Sequence, residues 1–286
     1  MKQLVNLQNF FLASHIGTFI FGLVGLLIIL PHPELLADLG TFGQNSFALS
    51  MSAGGAINIL LGTVAVAIFA YRTMGLQQWL SFMIPAIVLS LGSELLGTST
   101  GFPFGEYGYL SGLGYKVAGL VPFTIPLSWF YMGFTCYLLA RAAIDATIKP
   151  GTFTAFLCPI LSVFIGAILL TSWDFTLDPA MSQSIYPFWQ FGQTGSFFGT
   201  PYRNFFGWIA TGVIFMTMAA LLWKKTPIVL SNRQLGFLLV IYLSNIAFSS
   251  VITLFGVGLG IPVGLSVLFG VIPAFILGWM ASLASA

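Results

Sequence analysis

Eight stretches of mainly apolar residues, each long enough to cross a bilayer as a helix, dominate this chain: 10–30, 49–71, 78–97, 121–141, 153–173, 206–223, 235–255 and 259–282. A hydrocarbon core about 30 Å thick needs roughly 20 such residues at helical rise. Backbone polar groups in lipid must bond within the protein, which leaves helices or a closed barrel. No segment alternates with the period of a barrel strand. The expectation is an all-α, polytopic membrane bundle of about eight transmembrane helices, with residues 1–286 forming a single integral membrane domain. Gly54-Gly55 in the second span and Pro262 or Pro273 in the last are the places where a helix would shorten or kink. The first apolar run is too long for a signal-peptide core and lacks a small-residue cleavage site, so it reads as the first span.

Only 6% of the residues are charged, against about 25% in soluble domains. The net charge of +2 is spread along the chain and offers no basic patch for nucleic acid. Cys136 and Cys158 lie inside apolar runs and read as small packing residues, with neither disulfide nor metal spacing.

Charge also orients the spans. With the N-terminus inside, Lys2, Arg72, Arg141, Lys149, Lys224, Lys225 and Arg233 fall on the cytoplasmic side, accompanied by Asp145 alone among the acids. Glu34, Asp38, Glu94, Glu106, Asp174 and Asp178 fall opposite, with Lys116 and Arg203. This Lys and Arg bias predicts that both termini are cytoplasmic. Two long segments stand on the outer face, 97–129 and 172–208. Long connections are usually functional or disordered, and with 12 of its 37 residues aromatic the second is expected to fold back over the outer leaflet. The chemistry should lie there.

Glu94 sits near the outer end of the third span, where an ionisable group is costly and marks function by default; the plain alternative is a carboxylate reaching the interface or pairing with Lys116 or Arg203. Asp174 and Asp178, in WDFTLDP, share a face if the helix continues. Neighbouring carboxylates resist joint ionisation, which would leave one as a neutral acid able to donate a proton. Asp178 precedes Pro179 and reads equally as a helix N-cap. Aromatic residues crowd the same face, as an interfacial belt, a π-lined cage, or both. His15 reads as a hydrogen-bonded packing residue, whereas His32 on the outer face is an outside candidate for the site. Two such histidines make no metal site, and no nucleotide-binding pattern is present, so no cofactor is expected.

Taken together, GTSTGFPFGEYGY, VPFTIPLSWFYMGF, SWDFTLDPAM, PFWQF and FFGTPYRNFFGW resemble the CruF-type carotenoid 1′,2′-hydratases, a family of carotenoid biosynthesis membrane proteins. The resemblance runs from Glu94 to Trp208 and carries over Glu94, Tyr107, Trp129, Asp174, Asp178, Trp189, Asn204 and Trp208. It implies hydration of the terminal 1,2 double bond of an acyclic end group, as in γ-carotene or lycopene, taken from the bilayer. It also implies a bacterial plasma membrane or an internal photosynthetic one, and allows association with other carotenoid enzymes. Such chemistry needs a proton delivered to carbon, a stabilised tertiary cation, and water admitted from one side. Asp174 is the expected acid, with Glu94 as its partner or a water-orienting base. Asp178, Asn204 and Tyr107 would position water; Trp173, Trp189 and Trp208 would shield the cation.

Two other readings compete. Asp174 and Asp178 match the DxxxD pattern of membrane prenyltransferases, but those enzymes need a second acidic motif and more cations than Lys116 and Arg203 supply. A non-catalytic carotenoid or lipid carrier, or a transporter, fits the fold, although mid-membrane charges for an ion-coupled pathway are nearly absent. No lysine lies mid-span, which removes a Schiff-base photoreceptor.

Overall fold

The computed structural model describes residues 2–148, 151, 154–223 and 227–284. Its long helices run up and down: α1 (Lys2–Val24), α3 (Thr41–Met74), α4 (Leu76–Thr100), α5 (Ile125–Thr147), α6 (Thr154–Gln183), α7 (Tyr202–Leu222) and α8 (Asn232–Val251). A short α2 (Pro33–Asp38) follows α1, and the last span is split into α9 (Gly260–Ser266) and α10 (Ile272–Ser282) by a π-helical turn. Similar turns extend α1 over Gly25–Ile29 and α8 over Ile252–Gly256. Small strands β1 (Tyr107–Tyr109), β2 (Lys116–Val117), β3 (Val121–Pro122) and β4 (Trp189–Phe191) lie in the connections.

Seven helical segments are both long and apolar enough to cross a membrane among the described residues. The expected eighth, 121–141, is α5, which spans 23 residues but carries Ser128, Thr135 and Arg141. Its 20 residues from Ile125 to Ile144 are buried with one exception, Leu127. A helix surrounded by protein need not be apolar enough to face lipid, so the least apolar span is the axis of the bundle. The bundle is an integral membrane fold, as its pattern of apolar runs requires.

Two expected interruptions are absent. α3 continues unbroken through Gly54-Gly55 for 34 residues, and α6 continues through both Pro159 and Pro179. Asp178 is therefore inside a helix and caps nothing. Contacts order the ends of the helices: Arg72 Nη1 donates to Gln8 at 2.5 Å, Gln234 to Thr73 at 3.2 Å, and the Trp223 indole to the Gln78 carbonyl at 3.2 Å. These groups share one end of the bundle, and the connections bearing β1 and β4 cover the other. Lys149, Lys224 and Lys225 lie outside the described residues. Cys136 and Cys158 are buried free thiols.

α6 is held from behind by small hydroxyls. Tyr242 Oη donates to the Leu169 carbonyl at 2.9 Å, Thr253 to that of Thr176 at 2.7 Å and Ser266 to that of Ser172 at 2.9 Å. Interhelical hydrogen bonds of this kind contribute about 0.6–2 kcal/mol each in lipid. They fix the helix face that bears Asp174 and Asp178.

Candidate active site

The site forms where α4, α5, α6 and α7 converge beneath the β1–β4 ribbon. α4 stops at Gly101, whose φ of 76° sets the left-handed cap that turns the chain back. The returning Phe104 ring wedges between Gly97 of α4 and Gly207 of α7; a Cβ on Gly97 would lie 2.6 Å from that ring. β1 then pairs antiparallel with β4, setting Tyr107 opposite Phe191 and Tyr109 opposite Trp189. Strand alternation aims those four side chains at one face, and that face lies over the acids.

Glu94 is 4% exposed and is surrounded by donors. Oε2 accepts from the Tyr107 hydroxyl in a short hydrogen bond and from Tyr109 at 2.8 Å, while Oε1 accepts from the Trp129 indole N–H at 2.9 Å. It neither reaches the interface nor pairs with a cation: Lys116 Nζ donates to the Tyr109 carbonyl at 2.5 Å, and Arg203 is exposed. Burial, then the charge of Glu94, push the Tyr107 and Tyr109 hydroxyls well above the usual phenol range. Both are held as O–H donors.

Asp174 and Asp178 lie one turn apart on α6, 0% and 3% exposed. A single amide bridges them: Asn204 Nδ2 donates to Asp174 Oδ2 at 2.6 Å and to Asp178 Oδ2 at 2.5 Å. Asp178 Oδ1 accepts from the Trp189 indole at 3.2 Å. Asp174 Oδ1 is buried with no hydrogen-bond partner. Two carboxyls held on one amide repel each other when both are ionised.

Glu94 and Asp178 wall a small pocket of about 40 Å³, together with Tyr107, Tyr109, Trp129, Trp189, Asn204 and Trp208. That is room for roughly two or three waters. Asp174 sits behind Asp178, away from the pocket. A second, largely apolar cavity of about 450 Å³ adjoins it, and Ile125, Ser128, Leu177 and Trp189 line both. The indoles form a chain: Trp129 and Trp208 lie 4.3 Å apart at 32°, and Trp173 meets Trp208 edge-on at 5.9 Å. Trp173 faces the apolar cavity.

All nine residues singled out in the sequence gather here. Tyr109, one of the aromatic residues of the outer region but not among those nine, joins them on Glu94; its signal is the Tyr-Gly-Tyr alternation that puts it beside Tyr107. His32 does not join; it is exposed and pairs with Glu34 at 3.2 Å. His15 is a packing residue, hydrogen-bonded through Nδ1 to the Asn58 carbonyl at 2.9 Å and through Nε2 to Asn245 at 3.2 Å.

The arrangement sets three buried carboxyl groups and aromatic faces beside a largely apolar cavity. Residues 54–273 match the family model described as carotenoid biosynthesis protein, and the chain belongs to that family. It is similar to the bisanhydrobacterioruberin hydratase of Haloarcula japonica, 27% identical over 188 residues that cover 66% of this chain and 60% of the relative. The chain thus spans less than two thirds of that protein's length. These likenesses support a carotenoid hydratase family, as the sequence motifs imply. No solved structure matches the chain.

Proposed function

We propose that the protein is a carotenoid hydratase that adds water across the terminal 1,2 double bond of an acyclic end group, as in γ-carotene or lycopene. One observation carries the reading: an apolar cavity of about 450 Å³ adjoins, through a common wall, a water-sized pocket lined by Glu94 and Asp178 and by no cation. The end group crosses that wall and the adjoining part of the chain stays in the cavity.

The Asp174–Asp178 pair acts as the acid. Asp178 is the member facing the pocket, and Asp174 behind it shares the proton. The alkene π electrons take that proton at C2, forming the C–H bond and leaving a tertiary cation at C1. Trp189 and Trp208 shield it from the pocket side and Trp173 from the cavity side, each worth about 0.5–2 kcal/mol where a ring faces the charge. A pocket water, held by Tyr107 and Asn204, gives a lone pair to C1. Its released proton passes through the Tyr107 or Tyr109 hydroxyl to Glu94, an acceptor already aligned with both. Return of that proton through pocket water restores the acid pair, and the net change is one added water. The pocket faces the non-cytoplasmic side in this reading, with both termini cytoplasmic.

The test is expression in cells accumulating lycopene or γ-carotene, followed by mass spectrometry of extracted pigments. A new pigment heavier by one water with its polyene absorption unchanged is expected. Unmodified pigments in membranes that contain the protein would count against the hydratase, and pigment co-purifying unaltered would favour a carrier.

A further inference from the structure

We infer that the polyene enters sideways from the bilayer between α1 and α3, and that these two helices select the chain while α4 to α7 carry the chemistry. The identity of the occupant rests on the hydratase reading; its route rests on the shape of the cavity.

The cavity wall passes from the bundle interior to the lipid-facing surface. Tyr131 and Trp173 are buried at one side, whereas Phe21, Phe42 and Leu49 at the other are 49%, 86% and 58% exposed. The floor is closed by polar groups engaged with one another. Tyr131 Oη donates to Asn245 Oδ1 at 2.8 Å, Asn245 meets His15 at 3.2 Å, and Asn58 Nδ2 donates to the His15 carbonyl at 3.1 Å and Thr18 at 2.8 Å. Hydrocarbon driven past them would strand buried donors and acceptors without partners, which is unfavourable. The open way out is lateral.

Glycines make the room. A Cβ on Gly22 would meet nothing closer than Phe248 at 3.5 Å, and one on Gly25 nothing closer than Phe47 at 3.9 Å. Gly25 also starts the π-helical turn of α1, and such turns often mark functional sites. About 450 Å³ suits one end of a forty-carbon chain, with the remainder left in lipid. The family match begins only at residue 54, so α1 and the outer part of α3 stand outside it. The acids and their donors, between Glu94 and Trp208, all stand within it.

The experiment uses the full chain in lipid discs, with Gly25→Leu and Gly22→Leu. Binding of lycopene is followed by quenching of tryptophan emission, and turnover is compared with a two-isoprene hydrocarbon bearing the same terminal alkene. Affinity for lycopene should fall about tenfold, the effect of overfilling a packed site, and the long-to-short ratio of kcat/KM should fall with it. Leu49→Trp, at the exposed mouth, serves where a glycine variant lowers the folded yield. Unchanged lycopene affinity in all three variants, or equal loss for both chain lengths, would overturn the route. Loss of co-purified lipid with lycopene affinity intact would give the cavity to an acyl chain and overturn it too. If lycopene binds, the variants weaken it, and no pigment is hydrated, the route stands and the hydratase reading fails.

Discussion

α5 carries a buried charge problem at each end, and the two are solved in opposite ways. At the end that the proposed orientation makes the inner one, Arg141 Nε donates to Asp145 Oδ2 at 2.7 Å, with both side chains 6% exposed. The Ile228 backbone N–H adds a second hydrogen bond to that oxygen at 3.0 Å. At its outer end Trp129 helps to hold Glu94, one of three buried acids whose partners are neutral: indoles, phenols and an amide. A cation beside an acid fixes its charge and makes it an anchor. Neutral donors hold an acid in place and leave it able to exchange protons, which is what the proposed hydration of an uncharged alkene requires.

The largest expected effect comes from breaking the outer solution. Asp178→Asn should lower kcat about a thousandfold, within the range of general acid catalysis, with thermal unfolding little changed. Asp174→Asn should cost a similar factor, and the double variant little more, because the pair acts as one unit. Multiplying losses would mean that the two carboxyls act independently.

At the inner end the expectation reverses. Asp145→Ala leaves Arg141 buried and unpaired, a loss of about 3–5 kcal/mol readable in unfolding experiments, while kcat per folded molecule holds. Lost turnover with intact stability would erase the distinction between the two ends.

Glu94→Gln retains the shape but turns an acceptor into a partial donor facing three donors. Turnover should fall about a hundredfold, in kcat more than in KM. Tyr107→Phe removes one of the three and leaves Tyr109 in place, so about tenfold is expected; equal losses for both variants would make Tyr107 the obligatory relay. The smallest effect concerns pH. A free phenol ionises near about 10, and burial with Glu94 alongside raises both site tyrosines above that. The folded state then keeps protons that the unfolded chain releases, so stability from these groups falls only as pH rises past the unfolded value. Turnover should show no alkaline limb from them between neutral pH and about 10. A limb there that vanishes in Tyr107→Phe would contradict the assignment.

Much of this was legible in the sequence. Lipid demands internally bonded backbone, so apolar runs translate directly into spans, and a spacing of four put Asp174 and Asp178 on one face. The Asp-Pro step was ambiguous, because proline suits the first turn of a new helix as well as it tolerates the inside of one that its neighbours hold. α5 stood out least as a membrane helix, since it carries Ser128, Thr135 and Arg141, each bonded within its own helix, and the protein that surrounds it comes from distant parts of the chain. The cavity left no trace in the pattern: its walls come from α1, α3, α5, α6 and α8, and no local periodicity records which distant helices meet.

The central claim is that the acid pair puts a proton on carbon and that water then supplies the oxygen. The most direct test is turnover of lycopene in heavy water enriched in oxygen-18, with mass spectrometry of the washed product. One carbon-bound deuterium and one heavy oxygen are expected in each end group hydrated, both lost together in Asp178→Asn. Product oxygen that does not come from water, or a hydrated end group with no carbon-bound deuterium, would contradict it.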